Sequence, residues 1–196
     1  NDLKPALFLD RDGVIIKDRH YINNPDDVEL EIFALELIKY VNLSNWPIIV
    51  ITNQSGISRE LLSWKKYAEI TKKMIDLFAI SNPFTAIYAN SVPANNLTNK
   101  LRKPMPGMIL QSIKDFPLDL KKSIIIGDRL SDIQAGARAG LLQAFHLMTG
   151  HGNKERAIVE KHINSEGIFI DNEYSIQISL VNSLKDIPLE IFYQVD

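Results

Sequence analysis

Five short apolar runs punctuate the chain: Ala6 to Leu9, Ile48 to Ile51, Ala86 to Tyr88, Ser123 to Ile126 and Gln143 to Leu147. Each is too short for a helix, most of their residues are β-branched or aromatic, and Gly, Pro or Asn often flanks them, which is the pattern of buried strands. Between the first two runs, Ala34, Leu37, Ile38 and Val41 fall at i, i+3, i+4 and i+7, and between the next two Tyr67, Ile70, Met74 and Phe78 repeat at helical spacing. Strands that are apolar on both faces need cover on both faces. The alternation therefore predicts an α/β fold: a three-layer, Rossmann-like parallel sheet with helices on both faces and no large cap domain.

Local signals place the helix ends. Ser63 is a plausible N-cap, Pro106 stands where a helix containing Ile109, Ile113 and Phe116 begins, and Gly140 stops a helix running from Ser131 to Ala139. Two stretches break the rhythm. Residues 89–107 read as a long loop, and residues 165–177 are polar with weak alternation. From Gln177 onward we expect one strand, Ile178 to Val181, and a short terminal helix. At 196 residues the chain is expected to form one domain, 1–196, around a single sheet.

Charge and composition exclude several function classes. The 22 basic and 24 acidic residues leave a formal charge of −2, so no bulk positive field attracts nucleic acid, and no nucleic-acid partner is expected. Zero Cys removes disulfides, thiolate zinc sites and a cysteine nucleophile. No apolar run approaches the roughly 20 residues that cross a bilayer, and the start lacks the charged-then-apolar pattern of a signal peptide. The expectation is a cytoplasmic protein with no membrane partner; its oligomeric state is not legible.

The carboxylates carry the functional signal. In ALFLDRDGVI, Asp10 and Asp12 follow an apolar strand directly, at the carboxyl edge where open α/β sheets place their ligands, and Gly13 permits a tight turn. Taken alone the segment also reads as an Asp-rich turn. In PIIVITNQSG, Thr52 and the backbone N–H of Asn53 can contribute to an anion nest, or merely end a strand. SIIIIGDRLSD brings Asp128 to a third strand end, with Asp132 opening the following helix. Like charges gathered at strand ends are relieved by a bound divalent cation, and oxygen-only ligands favour Mg²⁺ over zinc. Lys103, in LRKPMPGM at the end of the long loop, can neutralise a phosphoryl oxygen or be a solvated loop lysine.

Together, DRDGV, ITN, RKP and GDRLSD occur in the order of the four motifs of the haloacid dehalogenase (HAD) superfamily, and the chain resembles those aspartate-nucleophile phosphohydrolases from about residue 6 to residue 150. The fuller strings DRDGV, TNQSGI, RKPMPGM and GDRLSDIQAG are similar to the branch of D-glycero-D-manno-heptose 1,7-bisphosphate and histidinol-phosphate phosphatases. The resemblance implies Asp10 as nucleophile, forming an aspartyl phosphate, and Asp12 as general acid and base. It implies Mg²⁺ held by the Asp10 carboxylate, the Asp12 carbonyl and the Asp128 carboxylate, with Thr52, Asn53 and Lys103 on the phosphoryl oxygens. It also implies that Asp132 orients Lys103 or a metal-bound water.

One departure stands out. The branch commonly carries a zinc clip before the RKP motif, but the corresponding positions here are Ala89, Ser91, Asn99 and Leu101, so no zinc is expected. The loop is then expected to be ordered by packing of Pro93, Leu97 and Leu101, or to stay mobile until substrate binds. Arg102 and Arg129 are candidates for a second phosphate, which favours a bisphosphate sugar over histidinol phosphate, and Tyr21 is a candidate for the mouth of the site. No role is expected for His20, His146, His151 or His162, and Gly136 and Gly140 are assigned to helix-to-sheet packing. A phospho-accepting receiver domain is the alternative of another class, since it also gathers acids, Thr and Lys at strand ends.

Overall fold

A computed structural model describes residues 2–196. Its centre is one seven-stranded sheet in the order β3-β2-β1-β4-β5-β7-β6. The strands are β1 Leu7–Leu9, β2 Ile48–Asn53, β3 Ala86–Asn90, β4 Ile124–Gly127, β5 Gln143–His146, β6 Ile168–Asp171 and β7 Tyr174–Leu180. All neighbours pair in parallel except β6 with β7. The helices are α1 Ala34–Leu43, α2 Ser55–Ser58, α3 Trp64–Leu77, α4 Gly107–Asp115, α5 Leu130–Ala139 and α6 Gly152–Glu160.

Strand alternation splits the core into two layers. Leu7, Leu9, Ile48, Val50, Ile124 and Ile126 pack on one face with Leu37, Ile38 and Val41 of α1 and Ile70 and Met74 of α3. Phe8, Ile49, Ile51 and Ile125 point the other way, onto Met108 and Ile109 of α4 and Ile133 and Ala137 of α5. Burying each such side chain contributes about 1.5–3 kcal/mol, so the sheet is held from both sides. Ser63 accepts from the Lys66 N–H at 3.0 Å and caps α3 as expected. Gly136 lets α5 approach the sheet, because a Cβ there would lie 2.6 Å from Ile125 Cγ2. Gly140, however, has nothing within 4 Å of a built Cβ and a φ of +79°; it ends α5 in the left-handed conformation and has no packing role.

The C-terminal third departs from expectation. The polar stretch 165–177 holds strand β6 and the start of β7, joined through Asn172 at φ 54°. Here only Phe169 and Ile176 face the core, while Ile170 is 41% exposed, so an edge hairpin showed little apolar periodicity. The expected terminal helix is two short 3₁₀ turns, Leu184–Asp186 and Leu189–Ile191.

The strand order also decides between two architectures. Receiver-like sheets run 2-1-3-4-5, whereas here β1 lies between β2 and β4, giving 3-2-1-4-5. The crevice at the carboxyl ends of β1 and β4 is the switch point of that order. No helix is long and apolar enough to cross a membrane among the described residues.

Candidate active site

Register brings the predicted residues together. Leu9 pairs with Val50 and with Ile126, so Asp10 emerges beside the ends of β2 and β4, and Asp128 follows the last residue of β4. One carboxylate oxygen from each of Asp10, Asp128 and Asp132 lies within 4.8 Å of the others. Lys103 enters from the loop before α4, and its ammonium sits 3.3 Å from Asp10 Oδ2 and 2.6 Å from Asp132 Oδ1, while donating to the Ile51 carbonyl at 2.9 Å. All four side chains are buried.

Three carboxylates against one ammonium leave the cluster short of positive charge. Burial, opposed by Lys103 and reinforced by Asp132 and Asp12, pushes the Asp10 carboxyl up to about 6. Burial, with Asp132 and Asp10 as like charges, raises Asp128 well above the usual carboxylate range. Burial works against the Lys103 charge, but Asp10 and Asp132 outweigh it and hold the ammonium above its usual value. Asp128 Oδ2 accepts from the His151 N–H at 2.8 Å, whereas its Oδ1 is buried without a hydrogen-bond partner. An orphaned carboxylate oxygen facing two other acids fits a hard divalent cation.

Asp12 stands outside this cluster and keeps a partly exposed carboxylate. Arg11 Nε and Nη2 donate to it at 3.2 Å each, and Gln54 Nε2 donates to its Oδ2 at 2.9 Å. Gln54 in turn accepts from Arg11 and donates to the Thr52 hydroxyl oxygen at 2.8 Å. Arg11 is 2% exposed and lies over the Tyr67 ring, 5.1 Å from its centroid. The sequence reading missed Arg11 and Gln54. Their signal was adjacency alone: each neighbours a motif residue, and nothing in the sequence says that Arg11 points inward.

Above the cluster opens a cleft of about 300 Å³, lined among others by Asp10, Asp12, Asn53, Lys103, Arg102 and Arg129. Tyr21 lines its mouth, with its hydroxyl bound to Arg59 at 2.7 Å. Arg102 donates to the Val92 carbonyl at 3.0 Å; burial and the nearby Arg129 lower its pKa. Arg129 is more open and reaches Glu155 at 3.6 Å. Thr52 lies beneath the cleft, wholly buried.

Two expectations need correction. The loop after β3 is not ordered by apolar packing: Leu97 is 85% and Leu101 45% exposed, and Pro93 is exposed as well. Its order comes from hydrogen bonds, with Asn96 Oδ1 accepting from the Asn99 N–H and Asn99 Oδ1 from the Leu101 N–H at 2.8 Å. Nor are all the histidines idle. Arg156 Nε donates to His146 Nδ1 at 2.9 Å, so His146 Nε2 carries the proton and donates to the Asp128 carbonyl, also at 2.9 Å. Burial and Arg156 lower His146 to about 4, keeping it neutral. His151 supplies its N–H to Asp128 and its ring to Asp18 at 2.9 Å.

The chain is similar to several known phosphatases. A HAD-hydrolase-like family model matches residues 100–168. The chain is 38% identical over 148 residues to a D-glycero-β-D-manno-heptose-1,7-bisphosphate 7-phosphatase of Mesorhizobium japonicum, covering 72% of this chain and 68% of that protein. It is also 38% identical over 178 residues to the α-anomer 7-phosphatase of Photorhabdus laumondii, covering 86% and 94%. The crystal structure of D,D-heptose 1,7-bisphosphate phosphatase from B. bronchiseptica, complexed with magnesium and phosphate, superposes with a TM-score of 0.75 at 26% identity, covering 92% of this chain and 93% of that one.

Proposed function

Because the chain belongs to the heptose-1,7-bisphosphate phosphatase family of HAD-like phosphatases, we propose that it hydrolyses the 7-phosphate of a D-glycero-D-manno-heptose 1,7-bisphosphate, acting as a single unit over residues 1–196. The observation that carries this reading is the meeting of Asp10, Asp128 and Lys103 at the strand ends, under a cleft flanked by two arginines.

Asp10 attacks phosphorus, and the bond to the sugar oxygen breaks as the aspartyl phosphate forms. Asp12 gives its proton to the departing alkoxide, then takes one from the water that attacks the aspartyl phosphate, releasing inorganic phosphate and restoring Asp10. Lys103, Thr52 and the Asn53 N–H hold the phosphoryl oxygens as charge shifts. Asp132 keeps the Lys103 ammonium in place. The carboxylates of Asp10 and Asp128 and the carbonyl of Asp12 would hold Mg²⁺, which when bound would supply positive charge to offset the repulsion between two anions that must meet. The Asp128 oxygen without a partner supports that assignment. Zinc has no part, since Ala89, Ser91, Asn99 and Leu101 offer no good ligand set.

Arg102 and Arg129 support a bisphosphate. Two guanidiniums facing one cleft repel until an anion lies between them, and a second phosphate supplies it. Histidinol phosphate has no such group.

Phosphate release from both heptose bisphosphate anomers, from the corresponding 1-monophosphate and from histidinol phosphate tests the proposal. The bisphosphates should lose the 7-phosphate, with EDTA and Asp10→Asn abolishing turnover and Lys103→Ala costing on the order of a hundredfold. Undiminished turnover by Asp10→Asn removes the nucleophile. Equal kcat/KM for histidinol phosphate removes the bisphosphate preference.

A further inference from the structure

The loop that stands over the cleft and the lysine that reaches into it share one anchor, Asn90. It ends β3 and is 4% exposed. Its Oδ1 accepts from the Val92 N–H at 3.1 Å, and its Nδ2 donates to Asn53 Oδ1 at 3.0 Å. Asn53 Oδ1 also accepts from the Lys103 N–H at 3.1 Å, and Asn53 Nδ2 donates to the Lys103 carbonyl at 3.2 Å. Arg102 then closes the circle by donating to the Val92 carbonyl.

Each amide has one orientation that satisfies this set. Asn53 must present its oxygen to two donors and its nitrogen to a carbonyl, and turning either carboxamide over sets donor against donor. The main chain on both sides of Lys103's α-carbon is thus gripped like a paired base, and the grip is fixed from behind by Asn90. The same carboxamide fixes Val92, where the loop leaves the sheet. A buried amide with every partner satisfied is a rigid joint, and losing one partner leaves others unpaired.

We propose that Asn90 is a positioning residue that sets the cleft-covering loop and, through Asn53, the placement of Lys103 on the phosphoryl group. It touches neither substrate nor reacting atoms. The kinetic part of the inference rests on the phosphatase reading above; the structural part does not.

The test uses Asn90→Leu, similar in volume but without polar atoms, and Asn90→Ser, a smaller change that cannot reach Asn53. Circular dichroism and thermal unfolding check that each variant folds, and two independent readouts follow. In amide hydrogen exchange followed by NMR, both Val92 and Lys103 should exchange faster than in the parent. In steady state, kcat on p-nitrophenyl phosphate, which carries no sugar, should fall on the order of tenfold through misplaced Lys103, while KM for heptose bisphosphate rises as the loop loosens. In an Asn53→Ala background, adding Asn90→Leu should lower kcat by clearly less than it does in the parent, because the direct route from Asn90 through Asn53 to Lys103 is already cut and only the links through Val92 with Arg102 and to the Leu101 carbonyl remain.

A folded variant whose Val92 and Lys103 amides stay as protected as in the parent overturns the proposal, and so do kcat losses at Asn53 and Asn90 that simply multiply. If the parent hydrolyses no phosphomonoester, the reading of function fails on its own, and the exchange result alone decides the role of Asn90.

Discussion

Lys103 and Asp132 form a 2.6 Å ion pair in which the two side chains are 2% and 1% exposed. Asp132 is doubly committed, since its other oxygen accepts from the Arg129 N–H at 3.1 Å and so closes the first turn of α5. A charge this deep is tolerable only while its partners persist. Asp132→Asn keeps the shape and the cap acceptor but leaves the ammonium dependent on Asp10. We expect a loss of about 3 kcal/mol in urea unfolding, seen as a lower midpoint at unchanged slope. Retention of the parent midpoint would show that Asp10 alone compensates Lys103.

The raised carboxyl of Asp10 has a definite sign. Its folded value of about 6 exceeds the ordinary 3.8, so the folded state holds the proton more tightly than the unfolded chain. Stability from this group is complete below about 4 and is lost as pH rises through 6. In EDTA, the melting temperature of the parent should therefore fall between pH 4 and pH 7 relative to that of Asp10→Asn, which cannot ionise. Mg²⁺ replaces the proton, so a fixed excess should raise the melting temperature little at pH 5 and markedly at pH 7.5. An equal gain at both values would mean that the cation binds away from Asp10 and Asp128.

The central sheet was readable because β1, β2 and β4 are buried on both faces, so their apolar runs stand out of any background. Asp10 and Asp128 were readable for the same reason: each follows such a run. Of the edge hairpin only the end of β7 was, as the strand expected at Ile178 to Val181, while β6, the start of β7 and α6 were not. Among the residues of α6 only Gly152 and Val159 are buried, too few to set a period. Arg11 was invisible for a different reason. An arginine flanked by two aspartates reads as surface charge, and its burial depends on Gln54 and Tyr67, far away in the sequence. The loop after β3 misled the reading because exposed leucines look like anchors, while its true joint is a carboxamide.

Gly13 marks how closely the backbone crowds the cluster. It has φ +82°, and a Cβ there would lie 2.4 Å from Asp128 Oδ2. Gly13→Ala meets both the left-handed strain and that contact. We expect a loss of about 2 kcal/mol and weaker Mg²⁺ binding by calorimetry, because Asp128 is the side chain that must yield. Gly140, also left-handed but open around its Cβ position, supplies the control: Gly140→Ala should cost stability without changing Mg²⁺ affinity. Loss of affinity in both variants would trace the effect to general loosening.

Arg11 makes a prediction that depends on the leaving group. Its guanidinium and Gln54 Nε2 together fix the Asp12 carboxylate, so Arg11→Met, which keeps a long apolar stem beside Tyr67, should let Asp12 drift. Protonation matters when the departing oxygen is an alkoxide and hardly at all when it is p-nitrophenolate. First-turnover release from heptose bisphosphate should thus slow on the order of a hundredfold, whereas the p-nitrophenolate burst should stay within about threefold. Steady-state turnover should fall for both substrates, since hydrolysis of the aspartyl phosphate needs Asp12 as base whichever group has left. An equally slowed burst would mean that losing the guanidinium shifts the whole Asp10–Asp12 turn, in which the main-chain N–H of residue 11, retained in the variant, donates to Asp10 Oδ1 at 2.7 Å, and would extend the role of Arg11 from proton transfer to the nucleophile.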